Sequence, residues 1–530
     1  AVLDYRQDPG YVDNVTTGQK DANQDLVRDA RVSVVWTPTD GNKLTYLYLA
    51  QNNKISDQGY TQLAFGEYNK STLFAEPYYT ATQLHSLRLD QELGFGTLTT
   101  QAAFLRKNEY LGADYTPYYG GALGTLSPYT DPQTGDSKAM YYEVRVASHD
   151  SGRLTWLAGA AYYRVWKQIN DLLAVPGAQQ YLINEYGPRL GELYAPADDV
   201  FSQIIGDYDG SEESVFGEAS YHLPLHLTFT FGGRLYWTSQ TTSNESSGLY
   251  TALDAQGVPF SASSGSTSDN GFLPKISLRW EPTPHLMAYG LISEGYRFGQ
   301  PNVVTPDPSF PTPTGTSSDT LVNYEVGVRT GLFGEQLVFE PTLFWIDWSN
   351  IQARLTRPDG ITYGANAGDA VSRGAEIATT WTPRFRALRG LRLVSDVTYL
   401  DAHLTRDVVV GGGLPNIPDG TPLPTASKWS FNETASYTFD TRFRPTITLV
   451  HHYVSHAKGA LDTNFVQGDW NTVDLRLSGE FGPTTATLFV TNLTDSNGVT
   501  SGGLYGTSIY GQQYFRLRPR TIGAQLDWHL

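Results

Sequence analysis

Apolar and polar residues alternate with a period of two through much of this 530-residue chain. The last ten positions show it most plainly. Ile522, Ala524, Leu526, Trp528 and Leu530 are apolar, while Thr521, Gln525, Asp527 and His529 are polar, with Gly523 between them. Successive side chains of an extended strand point to opposite faces, so such a segment has one apolar and one polar face. The same alternation sets Val473, Leu475, Leu477 and Phe481 against Asp474, Arg476, Ser478 and Glu480, and Tyr324, Val326 and Val328 against Asn323, Glu325 and Arg329. Read along the chain, it predicts about twenty strands, from 1–7 and 30–38 at the start to 484–493 and 510–530 at the end. In the middle it predicts 212–222, 225–241 and 270–281, with 334–356 as one strand.

The connections alternate in length. Short ones include Thr37-Pro38-Thr39-Asp40, Pro282-Thr283-Pro284, Gly331-Leu332-Phe333-Gly334 and Phe481-Gly482-Pro483. Long ones include 8–29, 54–78, 111–136, 169–211, 242–269, 299–318 and 405–427. A β-barrel that threads a membrane has short turns at one rim and longer loops at the other. A soluble sandwich has no reason to gather its long loops at one end. Trp36, Trp280, Trp381 and Trp528 fall at strand ends on the short-turn side, each in the apolar phase of its strand. Four tryptophans at one level and on one face describe an aromatic girdle at a membrane interface. The expected fold is therefore all-β: a transmembrane antiparallel barrel with a polar lumen, forming a single domain over residues 1–530.

Composition narrows the reading. Mean hydropathy is −0.33, and no run of 18 apolar residues offers a transmembrane helix. Strand alternation hides membrane-facing surface from such an average. The chain has no cysteine, hence no disulfide framework and no thiolate chemistry. A net charge of −17 argues against nucleic acid as a partner. No nucleophile elbow or phosphate loop is found, so neither enzyme activity nor a cofactor is expected. The first residues, Ala-Val-Leu-Asp-Tyr-Arg-Gln, lack the basic and apolar regions of a signal peptide. Only about seven residues precede Asp8-Pro9-Gly10, fewer than a membrane strand needs, so the chain is expected to begin inside a strand.

Several segments resemble the barrel of TonB-dependent outer-membrane receptors. They include Tyr5-Arg6-Gln7-Asp8-Pro9-Gly10-Tyr11-Val12-Asp13-Asn14, Ser293-Glu294-Gly295-Tyr296-Arg297-Phe298-Gly299 and Asn323-Tyr324-Glu325-Val326-Gly327-Val328-Arg329. Further matches are 344–352, 364–368, 372–376, 490–495 and 519–524, in the family's order. The resemblance implies 22 strands around a plug. About twenty are visible and the first match falls at the family's third strand, so a plug, two strands and a TonB-contacting segment are expected to be missing from the front. The chain also ends on Leu530, where such barrels usually end on phenylalanine. The implied function is TonB-dependent active uptake of a scarce solute across the bacterial outer membrane. The implied partners are outer-membrane lipid, TonB through the missing segment, an unidentified small-molecule ligand and other outer-membrane proteins. The alternative is a plugless barrel serving as a passive pore or as a scaffold subunit.

Four clusters invite a functional reading. Tyr115, Tyr118 and Tyr119 offer rigid amphipathic surface to a cyclic or aromatic ligand, or simply pack their own loop. Arg297 points inward by strand phase and, with Asn302, flanks the Pro-rich loop 299–318, where it can hold a polar ligand or form a wall ion pair. Asp207, Asp209, Glu212 and Glu213 supply the oxygens calcium favours, without the spacing of an EF-hand. His451, His452 and His456 cannot share an ion. The first two face opposite sides of a strand, and His452 and His456 lie roughly 13 Å apart at about 3.3 Å per residue.

Overall fold

The computed structural model describes the chain except residues 117–122, 127–128, 151, 195–198, 249–259, 303–309, 311, 357–361, 410–415, 462–463, 505–511 and 529–530. Twenty strands form one antiparallel sheet. In chain order they are β1 (Val2–Asp8), β2 (Asp25–Thr39), β3 (Asn42–Ile55), β4 (Tyr78–Leu93), β5 (Gly96–Asp114), β6 (Thr130–Ser148), β7 (Leu154–Ala174), β8 (Val200–Leu223), β9 (Leu227–Gly248) and β10 (Phe260–Thr283). The second half comprises β11 (Leu286–Arg297), β12 (Asp319–Leu332), β13 (Leu337–Ser349), β14 (Ala370–Trp381), β15 (Leu391–Leu404), β16 (Trp429–Thr438), β17 (Thr446–Val454), β18 (Trp470–Phe481), β19 (Thr484–Thr491) and β20 (Thr521–Trp528). Each strand pairs with its neighbours in sequence, as in Val34↔Tyr46, Leu235↔Phe272 and Leu477↔Leu488.

Register partners share a face. One face carries Val34, Leu87, Ile276, Leu343, Leu477 and Leu488, all exposed. The other carries polar ladders: Tyr289 donates to Glu325 at 2.5 Å, Lys275 pairs with Glu218 at 2.7 Å, and Arg234 pairs with Glu212. An apolar exterior around a polar interior is the arrangement of a barrel in lipid. The short turns lie at one end, as at Asp40-Gly41, where Gly41 takes φ +92°. A side chain is strained in that conformation, so glycine suits the turn.

The structure corrects three expected boundaries. Strands β8, β9 and β10 begin or end well beyond 212, 241 and 270, with lengths of 24, 22 and 24 residues. Registers run without a break to Ser202↔Gly248 and Ser247↔Phe260. These extensions are too long to lie in the bilayer, which takes about 9–11 residues of a strand. Both their faces meet water, so Ser261–Asn270 shows no apolar phase even though it is paired. Second, 334–356 is not one strand. Asn350 adopts φ 59°, ending β13, and Gln352–Thr356 pairs instead with Thr362–Asn366. Third, β20 starts only at Thr521, after Pro519, and Gln512–Arg516 joins a small sheet of loops.

The loop 175–199 also hides two helices, α1 (Ala178–Tyr186) and α2 (Pro188–Tyr194). Asp199 caps α1, accepting from the Gly177 and Gln179 amides at 2.9 and 3.1 Å. Such a carboxylate satisfies amides left open by the first turn and opposes the helix dipole. Ala178 and Leu182 then pack with Leu123, Tyr129, Leu173, Val175 and Phe201 in a buried apolar cluster.

Among the described residues the first and last strands each have a single partner: β1 pairs with β2 and β20 with β19, and no register joins β1 to β20. The seam is crossed by loops. Gln512–Arg516 pairs with Val499–Leu504 and with Tyr60–Gln62, and Arg518 donates to the Pro9 carbonyl at 2.8 Å. Placing a charge on the outer face tests the assignment of faces. Ile276→Arg is expected to destabilise the barrel by about 2–4 kcal/mol in denaturant unfolding from lipid vesicles. The inward neighbour Ser277→Arg is expected to change stability by under ~1 kcal/mol in the same assay.

Candidate functional site

A cleft of about 670 Å³ opens at the long-loop end, lined among others by Tyr296, Arg297, Phe298, Asn302, Gln352 and Arg354. The end of β11, the loop after it and the hairpin 352–366 build it, and β8 and β9 contribute Glu212 and Thr242. A larger hollow of about 790 Å³ lies at the opposite rim. There His285 faces Glu335 at 3.0 Å and Arg329 faces Glu340 at 3.8 Å, so its charged groups are matched within the wall. The smaller cleft lies among the long loops.

Arg297 stands opposite Asp319 in the register of β11 and β12. Its Nε lies 3.2 and 3.0 Å from the two Asp319 oxygens, and a second guanidinium nitrogen reaches Oδ2. The Asp319 side chain is 1% exposed and that of Arg297 is 51% exposed, so a buried carboxylate holds a guanidinium that still faces the cleft. Two-pronged pairing of this kind sets orientation as well as energy. Asp319 Oδ2 also accepts the Gln352 amide at 3.0 Å, and the guanidinium lies 5.0 Å from the Trp348 ring centre. The inward direction expected for Arg297 is what the structure has, with the wall ion pair as its principal contact.

Asn302 joins two loops. It accepts from the Gly364 amide at 2.8 Å and donates to the Gly364 and Pro313 carbonyls at 2.7 and 2.9 Å. Its amide is thus committed to holding the rim. Tyr296 supplies what the sequence reading missed. Its ring stacks on Tyr236 with centroids 3.6 Å apart and planes 17° apart, and its hydroxyl donates to Glu212 at 2.9 Å. Nothing in the local sequence marks that pair, because 60 positions separate the two tyrosines (296 − 236). Aromatic faces, amides and guanidinium groups in one concavity suit recognition of a polar ligand with flat surfaces.

The other candidates fall elsewhere. Tyr115 is half-buried against the helical loop cluster, and Tyr118 and Tyr119 lie outside the described residues. The acidic run is part of β8 and not a loop, which corrects the calcium candidate. Asp207 and Asp209 face outward, where Gln168 donates to Asp207 at 2.8 Å and Arg164 pairs with Asp209 at 2.7 Å. Glu212 faces inward toward Arg234 and Tyr296. Strand alternation sends one member of the set to the opposite side. Among the described residues no group of three or more His, Cys, Asp or Glu is placed to hold a metal. His451 and His452 take Glu433 and Asn432, their respective register partners, at 3.1 and 2.6 Å. Trp36, Trp280 and Trp528 are exposed on the apolar face near the short turns, and Trp381 is partly covered there. Trp237, Trp345 and Trp429 are exposed at the other end of the apolar band.

A wide membrane barrel whose long loops gather at one rim, around a cleft, defines an outer-membrane transport protein. Residues 176–493, more than half of the chain, match the family described as TonB dependent receptor-like, beta-barrel. The chain belongs to that family of bacterial outer-membrane receptors. Its fold is similar to that of the ferric yersiniabactin uptake receptor FyuA from Yersinia pestis, with TM-score 0.78, 15% identity, and 99% of this chain and 74% of that one covered. The siderophore receptor PiuA from Acinetobacter baumannii gives TM-score 0.71, 13% identity, and coverage of 98% and 76%. The copper transporter OprC gives 0.69, 11%, and coverage of 99% and 74%. At these identities the likeness is one of fold.

The rim staple is open to a direct test. Asn302→Ala removes three hydrogen bonds and is expected to lower local stability by about 1–3 kcal/mol. Hydrogen exchange at the Gly364 amide is expected to speed up by about tenfold or more, with global unfolding little changed.

Proposed function

We propose that the protein takes up a scarce solute by TonB-dependent transport across the outer membrane, and that the cleft around Arg297 is where the solute is first held. One observation carries this reading. The ion pair of Arg297 with buried Asp319 presents a positioned cation beside Tyr296 and Phe298, at the extracellular mouth of a polar lumen. Family membership supplies the energy coupling: a periplasmic pull by TonB on a segment that precedes the barrel. Receptors of similar fold are named for ferric chelates and copper, so metal-bearing solutes are the first class to test.

The free edges of β1 and β20 support a further part of this reading. Unpaired backbone groups cost several kcal/mol each in hydrocarbon. β1 runs toward the long-loop end and β20 away from it, so an even number of strands fits between them. We read the gap as the seat of a further antiparallel hairpin.

Uptake measured in cells with and without TonB tests the coupling. Loss of TonB or collapse of the inner-membrane proton gradient is expected to abolish accumulation. Arg297→Ala and Phe298→Ala are expected to weaken capture by about tenfold, or ~1.4 kcal/mol. High passive conductance of the full-length protein in a planar bilayer, with uptake indifferent to TonB, would instead establish an open pore.

A further inference from the structure

The outer wall of the barrel sorts its charges by side. At the top of the apolar band, β2, β3, β5, β6 and β7 place Arg28, Lys54, Arg106, Lys138 and Arg164. Each keeps the outward phase of its strand. Arg28 is in phase with Val34, Arg106 with Phe104, Lys138 with Tyr142 and Arg164 with Trp156, all of them exposed on the apolar face. Lys54 stands opposite Leu26, which shares the phase of Arg28. Arg28 lies eight residues from Trp36 (36 − 28), and Arg164 eight from Trp156 (164 − 156). Both tryptophans mark the short-turn end, where the Trp156 ring stacks 6.4 Å from Phe95. Eight residues at about 3.3 Å each, tilted by about 35–45°, rise roughly 20 Å, close to the height of an apolar band about 25 Å tall. The cations therefore sit at the level of the outer-leaflet headgroups.

This side runs against the composition of the chain, which has 37 Lys and Arg to 54 Asp and Glu. Elsewhere the same level is acidic. Glu213 lies opposite the exposed Trp237, Asp347 follows the exposed Trp345 and Glu294 follows the exposed Ile292, while Arg373 is paired with Asp401 at 3.0 Å. Among the described residues Arg28, Lys54 and Lys138 have no carboxylate at ion-pair distance. Arg106 meets Asp136 at 3.2 Å and Arg164 meets Asp209 at 2.7 Å, but both pairs are exposed, and such pairs hold weakly. Beside Lys138 a hollow of about 430 Å³ opens on this outer face, lined among others by Asp136, Trp166, Asp209 and Thr241. Trp166 stands opposite Lys138 in the register, and the Arg164 guanidinium lies 4.6 Å from its ring centre. Asp207, also on the hollow, is held by Gln168 at 2.8 Å.

We propose that the outward face of β2–β7 binds the phosphate-bearing headgroup of an anionic outer-leaflet lipid. Lys138, Arg106 and Arg164 gather at the hollow, and Arg28 and Lys54 continue the basic surface toward the first strand. Basic side chains at a membrane surface are drawn to anionic lipid, and guanidinium groups pair with phosphate through two hydrogen bonds at once. The acyl chains lie below on Phe104, Tyr142 and Val144, which are exposed in the same phase. The hollow thus joins charge above to apolar wall beneath, the two features that a lipid presents together and a free anion does not. The acidic level around Glu213, Glu294 and Asp347 repels the same headgroups, so the barrel meets anionic lipid with one side.

The full-length protein in neutral detergent is titrated with diphosphoryl lipid A, and separately with the same lipid stripped of its phosphates, while bound lipid is counted by native mass spectrometry. Saturable binding of the phosphorylated form is expected, at least tenfold tighter than that of the stripped form. The triple variant Arg28→Gln, Lys54→Gln, Lys138→Gln is expected to weaken it by at least tenfold, and Arg373→Gln, on the acidic side, to leave it unchanged. If the triple variant does not fold, Lys138→Gln alone decides, with a loss of at least threefold expected. Equal binding of the stripped lipid overturns the proposal, as does unchanged binding in the folded basic-side variant or an equal loss in Arg373→Gln. Full displacement of the lipid by millimolar inorganic phosphate also overturns it, since the site would then hold a free anion and not a lipid.

Discussion

Every backbone amide and carbonyl that meets hydrocarbon must find a partner within the sheet, because lipid offers none. The rest of the structure follows from that constraint. Pairing each strand with its sequence neighbour satisfies it at least cost in chain entropy, since short turns close small loops. Pairing also forces side chains to alternate, so an apolar exterior brings a polar lumen with it. The free edges of β1 and β20 are the one place where the described ladder stops.

Above the membrane the constraint relaxes, and different contacts take over. Lys70 is fully buried between Asp57 and Glu76, 2.8 Å from the Glu76 carboxylate, and Glu76 in turn accepts the Asp114 amide at 2.9 Å. Breaking such a set strands a charge away from water, so it holds the loop between β3 and β4 in one conformation. Tyr514 pairs with Thr61 across the seam, joining loops from the two ends of the chain. The Arg297–Asp319 pair and the Asn302 staple fix one wall of the cleft. The cleft is therefore built by loops whose polar groups satisfy one another.

The strands were legible wherever a residue meets lipid. Trp280 and Ile276 keep phase with Leu278, and that phase set the outward face of β10 from sequence alone. Phase likewise placed Arg297 inside. It failed where both faces meet water. Residues 261–270 are serine-rich and carry no apolar signal, yet they extend β10 in full register. It failed again for Asp207, Asp209 and Glu212, where nearness in sequence concealed their separation to opposite faces of β8. Helix α1 was missed because its stabilisers, Asp199 and the cluster around Leu123, lie outside its own nine residues.

The sequence by itself determined the barrel, its membrane-facing side and the rim at which its loops gather, because alternation and turn spacing are local and are read residue by residue. Only the tertiary structure decided which polar groups meet. Tyr296 finds Tyr236, and the Thr61 hydroxyl donates to the Tyr514 carbonyl 453 positions away. Curling the sheet brings distant strands and loops together, and no local pattern in a chain encodes what lies across that curve.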